Sequence, residues 1–322
     1  MAIYTKLKEE DVNNFFLKYD LGKVLEYKGI QEGIENTNYF IKTEKGKYIL
    51  TIYEKRVNEK DLPFFINLMR NLYKFDFKCP RPIKNNDQNY ITHIHGKNAA
   101  VVTFINGSSK KTLSPQNCYE VGVETAKLHL ITKNMKINRD NSLSIKSWPK
   151  LFDRIKNDCL KIHNNMSDII ELSLKEIEKN WPKNLPSGII HADLFPDNIF
   201  FKDEKISGII DFYFSCNDFY CFEIAVCINA LCFDGRKENL SFNITKSKKF
   251  LDGYSSIRKI TLNEKNNLKI LSQGAAMRFL LTRVFDFINS SSGAIVTIKD
   301  PIEYLKRLEF HSQVKDFNDY YI

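Results

Sequence analysis

The chain of 322 residues has no apolar run approaching the roughly 20 residues that a membrane span requires. Its first residues, MAIYTKLKEEDVNNFF, lack an apolar signal core, which predicts a cytoplasmic protein. There is no Cys-x-x-Cys pair among the seven cysteines, and seven is an odd number. Four of them (Cys216, Cys221, Cys227 and Cys232) lie in or beside one apolar segment. That placement predicts reduced, buried thiols and speaks against a disulfide framework or a thiolate metal site. The net charge of +9 comes without a basic run or stripe, because the lysines are scattered among Asn, Ile and Phe. It reads as a solvated surface, and nucleic acid is not an expected partner. Internal repeats and low-complexity tracts are also lacking. The length is ample for a large core, divided between two lobes.

The most informative stretch runs from Gly188 to Phe214. Ile189 and Ile190 read as a short strand, followed by the polar loop His191-Ala-Asp193-Leu-Phe-Pro-Asp-Asn198. Ile199 to Phe201 and Ile206 to Ile210 read as two further strands, and the second ends on Asp211. Charges delivered from strand ends make a poor core, since a buried charge is costly unless it is paired or bound to a cation. They suit a magnesium site and a base aimed at a hydroxyl, because Mg²⁺ takes one or two carboxylates and leaves room for phosphates and water. The kinase catalytic loop H-R-D-x-x-x-x-N followed by D-F-G has the same spacing. His191, Asp193, Asn198 and Asp211-Phe212 fit it, with Ala192 in place of Arg and Tyr213 in place of Gly.

The rest of the chain predicts an α+β fold. A helix is expected over residues 5–19 with Thr5 as cap, then strands at Val24 to Ile30, Tyr39 to Thr43 and Tyr48 to Tyr53. The turn-rich Gln31 to Asn38 between the first two strands is a candidate phosphate cradle through its backbone N–H groups, with Gly33, Asn36 and Asn38 as ATP-binding candidates. A helix from Asp61 to Leu72 follows, with Asp61 or Glu59 as its candidate carboxylate. Strands are expected at Asn89 to His93 and Ala99 to Ile105. His93 and His95, two apart, would then share a strand face. Ser114-Pro115 is a helix start, an N-cap before a first-turn proline. Further helices are expected at about 148–163, 167–181, 218–233, 243–257, 263–289 and 301–308.

The motif resembles the kinase-like small-molecule phosphotransferases, the aminoglycoside phosphotransferases and choline kinases among them. Several outlying segments narrow the resemblance: Tyr19-Asp-Leu-Gly22, Tyr48-Ile-Leu-Thr-Ile-Tyr-Glu54, Asp61-Leu-Pro-Phe-Phe65, Arg278-Phe-Leu-Leu-Thr-Arg283 and Asp300-Pro-Ile-Glu-Tyr304. Together they are similar to the bacterial homoserine kinases built on the aminoglycoside-phosphotransferase fold, over nearly the whole chain. The resemblance implies a protein-kinase-like two-lobe fold. An N-terminal nucleotide-binding lobe (residues 1–105) would hold an antiparallel sheet with a helix, and a mainly helical catalytic and substrate lobe would span 106–322. It implies transfer of the γ-phosphate of ATP to L-homoserine, with Asp193 as base, His191 in the catalytic loop, and Asn198 and Asp211 as magnesium ligands. Phe104 and Asn106 would lie in the hinge that meets adenine. Thr51 stands where kinases carry the phosphate-clamping lysine, and Lys42, Lys47 and Lys55 are the candidates to replace it. Arg278 and Arg283 are candidates for the substrate carboxylate because the guanidinium fork suits it. Alternatively, Arg283 pairs with Asp286. Another small alcohol (choline, ethanolamine, methylthioribose or an aminoglycoside) is the alternative substrate, and a dead binding module is disfavoured because Asp193, Asn198 and Asp211 are all present.

Overall fold

The computed structural model describes residues 4–31, 36–54, 57–289 and 299–322. Its described residues fall into two compact units. The first holds the chain up to Gly107 together with residues 207–213, and the second holds most of the remainder. The division lies two residues beyond the expected one at 105/106, and it returns the 207–213 segment to the first unit.

The first unit opens with α1 (Glu9–Phe16), followed by the strands β1 (Val24–Ile30), β2 (Thr37–Thr43) and β3 (Gly46–Ile52). Helix α1 starts later than expected because Thr5 is not its cap. The Thr5 hydroxyl donates to Glu54 Oε1 at 2.7 Å, while the Lys8 N–H donates to the Asp11 carboxylate at 2.7 Å and closes the first turn. Next come α2 (Leu62–Lys74), β4 (Pro82–Ile83), β5 (Ile91–Ile94) and β6 (Lys97–Thr103). The strands form one antiparallel sheet in the order β1-β2-β3-β6-β4, with β5 paired to β6. Register sets the two faces, since directly opposed residues share one. Tyr39, Ile41, Tyr48, Leu50, Ile52, Ala99 and Val101 point to one side and pack on Val12, Phe15 and Phe16 of α1. Asn38, Phe40 and Lys42 of β2 oppose Thr51, Ile49 and Lys47 of β3 on the other. His93 and His95 do not act together. His93 is exposed on β5, whereas His95 lies in the turn at φ +50° with Nε2 2.9 Å from the Asp11 carboxylate.

The second unit begins with β7 (Ser108–Ser109) and α3 (Pro115–Thr132), where Ser114 Oγ accepts the Asn117 N–H as expected of the cap. Then follow α4 (Trp148–Ile155), a 3₁₀ turn, α5 (Met166–Asn180), β8 (Ser187–Ile190) and β9 (Ile199–Lys202). Asp203 and Glu204, both at positive φ, turn the chain into β10 (Lys205–Ile209), which crosses into the first unit. β11 (Cys216–Phe219) pairs antiparallel with β8, so α6 (Tyr220–Leu231) starts two residues later than expected. Helices α7 (Ile244–Ile257), α8 (Leu262–Asn289) and α9 (Ile302–Gln313) complete the unit. α7 crosses α3 in close backbone contact. A Cβ at Gly122 would lie 2.1 Å from the Phe250 carbonyl oxygen, and one at Gly253 would lie 2.0 Å from that of Tyr119. All seven cysteines are buried free thiols. Among the described residues no helix is long and apolar enough to cross a membrane, and no cluster of three or more His, Cys, Asp or Glu could hold a metal.

Candidate active site

Strand β8 carries the chain into the core and ends at His191, which is fully buried. Its successor Ala192 adopts φ +66°, a left-handed conformation that a residue with a Cβ rarely takes without support. The support is visible. The Glu223 carboxylate on α6 accepts the N–H groups of both His191 and Ala192. From the other side, Arg278 Nη1 on α8 donates to the Ala192 carbonyl. One peptide turn is thus held by a buried carboxylate and a buried guanidinium, which fixes the direction in which Asp193 leaves the loop.

Asp193 is half-buried, and its N–H donates to His191 Nδ1 at 3.3 Å. Asn198 Nδ2 donates to the Asp193 carbonyl at 2.9 Å and to its carboxylate at 3.2 Å. Both amide protons of Asn198 are used in this way, which turns its Oδ1 away from Asp193 as a separate acceptor. Burial pushes the Asp193 carboxyl up to about 6, against the pull of the Arg278 and Lys299 charges. Burial also pushes Glu223 up to about 7, opposed by the two backbone N–H groups.

Within the first unit, Asp211 stands two residues beyond β10, at φ +64°. The segment leading to it is anchored by the Ile209 N–H on the Lys78 carbonyl at 2.8 Å, and by Gly208, where a Cβ would strike the Ile105 side chain at 2.7 Å. Beyond it, Tyr213 lies edge-on to Phe65 at 5.6 Å and to Tyr53 at 5.4 Å, and the two tyrosine hydroxyls stand 3.4 Å apart. Burial, with Asp211's negative charge adding to it, raises the pKa of both phenols, so they stay neutral. An oxygen-only donor set from a carboxylate and a carboxamide is what Mg²⁺ prefers, and Asp211 and Asn198 Oδ1 have that chemistry.

The nucleotide candidates are found on the open sheet face and at its edge. Thr51, in the lysine's place, donates to Asn38 Oδ1 at 2.8 Å across the β2–β3 pair. Asn36 is buried and accepts the Glu54 N–H, a strand-end contact. Phe104 meets Phe40 edge-on at 5.3 Å and donates its N–H to the Lys47 carbonyl. Phe104, Asn106, Lys47 and Arg81 line a surface cleft of about 370 Å³. Lys42 and Lys47 are exposed and directly opposed on the same face. Gly33 and Lys55 lie outside the described residues.

The two arginine candidates differ in their surroundings. Arg283 donates to the Asp300 carbonyl and to Glu303 of α9, so its ion-pair partner is Glu303 instead of the expected Asp286. The α8–α9 packing decides that pairing, and local helix spacing does not report it. Arg278 faces the catalytic loop. Two features went unnoticed in the sequence: the Tyr53–Tyr213 hydroxyl pair and the Arg278 contact to Ala192. The only signal for the first was Tyr213 standing in a glycine's place.

The model of the phosphotransferase enzyme family matches residues 26–254. The chain is 45% identical to a homoserine kinase of Xanthobacter autotrophicus and 42% identical to one of Mesorhizobium japonicum, covering 99% of each chain in both cases. A solved structure of an amicoumacin kinase, in complex with AMP-PNP, Ca²⁺ and Ami, superposes with a TM-score of 0.72 at 14% identity over 97% of both chains. That likeness concerns the fold, and it agrees with the antiparallel sheet and helical second unit described above. The chain belongs to the phosphotransferase enzyme family, with homoserine kinases as its full-length relatives.

Proposed function

We propose that the protein is a homoserine kinase: it transfers the γ-phosphate of ATP to the side-chain hydroxyl of L-homoserine, giving O-phospho-L-homoserine and ADP for threonine biosynthesis. The observation that carries this reading is the full-length identity of 45% with a homoserine kinase, joined to a catalytic loop in which Glu223 and Arg278 hold Ala192 and Asn198 holds Asp193. Asp193 receives the homoserine O–H as a hydrogen bond and orients the oxygen toward phosphorus. As the new P–O bond forms and the bond to ADP breaks, the proton passes to the Asp193 carboxylate. Little activation of the nucleophile is needed if the transition state is loose, so positioning is the chief contribution. His191 holds the loop from beneath through the Asp193 N–H. Asn198 and Asp211 are the magnesium ligands in this reading, and the bound ion would neutralise charge on the transferring phosphates. The sheet face with Phe40, Phe104 and Asn106 takes ATP.

The test is a coupled ADP-release assay of the purified protein with L-homoserine, choline, ethanolamine and kanamycin at matched ATP and Mg²⁺. Turnover confined to homoserine is expected. Robust turnover of choline or kanamycin with none of homoserine would keep the phosphotransferase and overturn the substrate.

A further inference from the structure

Arg278 is 2% exposed, and among the described residues no carboxylate comes within ion-pair distance of it. The neighbouring arginines are supplied: Arg258 pairs with Glu264, and Arg283 and Arg307 with Glu303. Arg278 Nη1 is spent on the Ala192 carbonyl, but its Nε is buried with no hydrogen-bond partner among the described residues. Asp193 and Glu223 feel its charge only at longer range. A buried cation in this condition is costly unless an anion joins it. Tyr304 on α9 presents a second case. It is completely buried, and its hydroxyl also has no hydrogen-bond partner among the described residues.

The two unused donors are connected through one ring. The Arg278 guanidinium lies 4.5 Å from the centre of Phe279, and the Tyr304 ring lies 5.2 Å from it. Phe195, two residues beyond Asp193, packs edge-on to the same Phe279 at 4.9 Å. The Tyr304 ring also carries the guanidinium groups of Arg283 and Arg307 at 4.4 and 4.7 Å. Three guanidinium groups (Arg278, Arg283 and Arg307) therefore lie on these two rings, with the Glu303 carboxylate paired to the latter two; Phe195 links the cluster to the catalytic loop, and both unused groups are donors. That combination selects a small anion with two acceptor oxygens.

We propose that Arg278 Nε and the Tyr304 hydroxyl form the subsite for the carboxylate of the acceptor amino acid. This rests on the homoserine reading and deepens it. Choline, ethanolamine and aminoglycosides carry no carboxylate to offer these donors, which makes the subsite a determinant of substrate choice. Both atoms are out of reach of water, so the carboxylate has to displace the surrounding rings to meet them.

Tyr304→Phe is the clean variant, since it deletes a hydroxyl that holds nothing in place. The wild-type and variant enzymes would be assayed with L-homoserine and with 3-aminopropan-1-ol, which is homoserine without its carboxylate. Thermal shifts with homoserine alone, without nucleotide, give a readout independent of turnover. The expected result is a variant with an unchanged or higher ligand-free Tm and an unchanged KM for ATP. Its KM for homoserine should rise at least about tenfold, the size of a lost hydrogen bond to a charged group. The homoserine-induced thermal shift should shrink, while the poor turnover of 3-aminopropan-1-ol stays as it was. An unchanged homoserine KM, or equal losses with both alcohols, overturns the subsite while leaving the kinase in place. A wild-type enzyme that ignores homoserine overturns the kinase reading and the subsite with it.

Discussion

Asp193 holds its proton to a higher pH than a free aspartate because burial disfavours the carboxylate more than Arg278 and Lys299 favour it. A base protonated below about 6 cannot take the proton of an alcohol, so kcat/KM should fall with pH through that value and level off above it. The same shift has a stability consequence of opposite sense. The folded pKa is raised, so the contribution of this group is fully present below the unfolded value and is lost as pH rises through about 6. Asp193→Asn keeps the acceptor for Asn198 and removes the charge. It should lower kcat by on the order of 10² or more and leave the Tm at pH 8 equal or higher, as stopped assays and calorimetry would report. Near-normal turnover would remove Asp193 from the role of base. Asp193, Asn198, His191 and Asp211 were legible in the sequence because short-range spacing carries their pattern. The settings of Tyr304 and Arg278 were not, because they arise from contacts between α8, α9 and a loop about 86 residues away.

At the scale of elements, α6 brings Glu223 beneath the loop that follows β8. A buried carboxylate accepting two backbone N–H groups is the reason Ala192 can sit at φ +66°. Glu223→Ala would leave both N–H groups without a partner, at about 1–3 kcal/mol each. The expected outcome is a destabilisation of roughly 2–6 kcal/mol by denaturant unfolding, with turnover reduced further than the loss of folded protein explains. A variant as stable as the parent would show that the loop does not depend on Glu223. The segment 207–213 gives a contrasting case. Asp211→Ala removes a carboxylate from a strand end already fixed by Gly208 and Ile209, so the ligand-free Tm should change little. Mg²⁺-dependent turnover should disappear, and activity that persists across a magnesium titration would exclude Asp211 as a ligand. Period-2 and helical spacing located nearly every element. They missed β11, whose Cys-Asn-Asp-Phe sequence is no strand by propensity and becomes one only by pairing with β8.

At the scale of the whole molecule, one contiguous motif is shared between the two units: His191, Asp193 and Asn198 belong to the second and Asp211 to the first. A linear boundary at 105/106 could not express this, because among the described residues the chain returns to the first unit at 207–213. Substrate choice is likewise a property of the assembled enzyme, since it depends on the separation between the group that holds one end of the acceptor and the group that reacts with the other. Homoserine places its hydroxyl two carbons beyond the α-carbon, and serine only one. If Arg278 and Tyr304 anchor the carboxylate while Asp193 marks the reacting end, serine must fall short of phosphorus by about one carbon–carbon bond. A misplacement near ~1 Å costs roughly 10²-fold in rate. Threonine has serine's reach with an added methyl group. L-Homoserine should therefore exceed L-serine and L-threonine by at least about 10² in kcat/KM, measured by ADP release at fixed ATP and Mg²⁺. Equal turnover of serine and homoserine would mean that the enzyme reads only the hydroxyl, and that no fixed anchor exists at the far end.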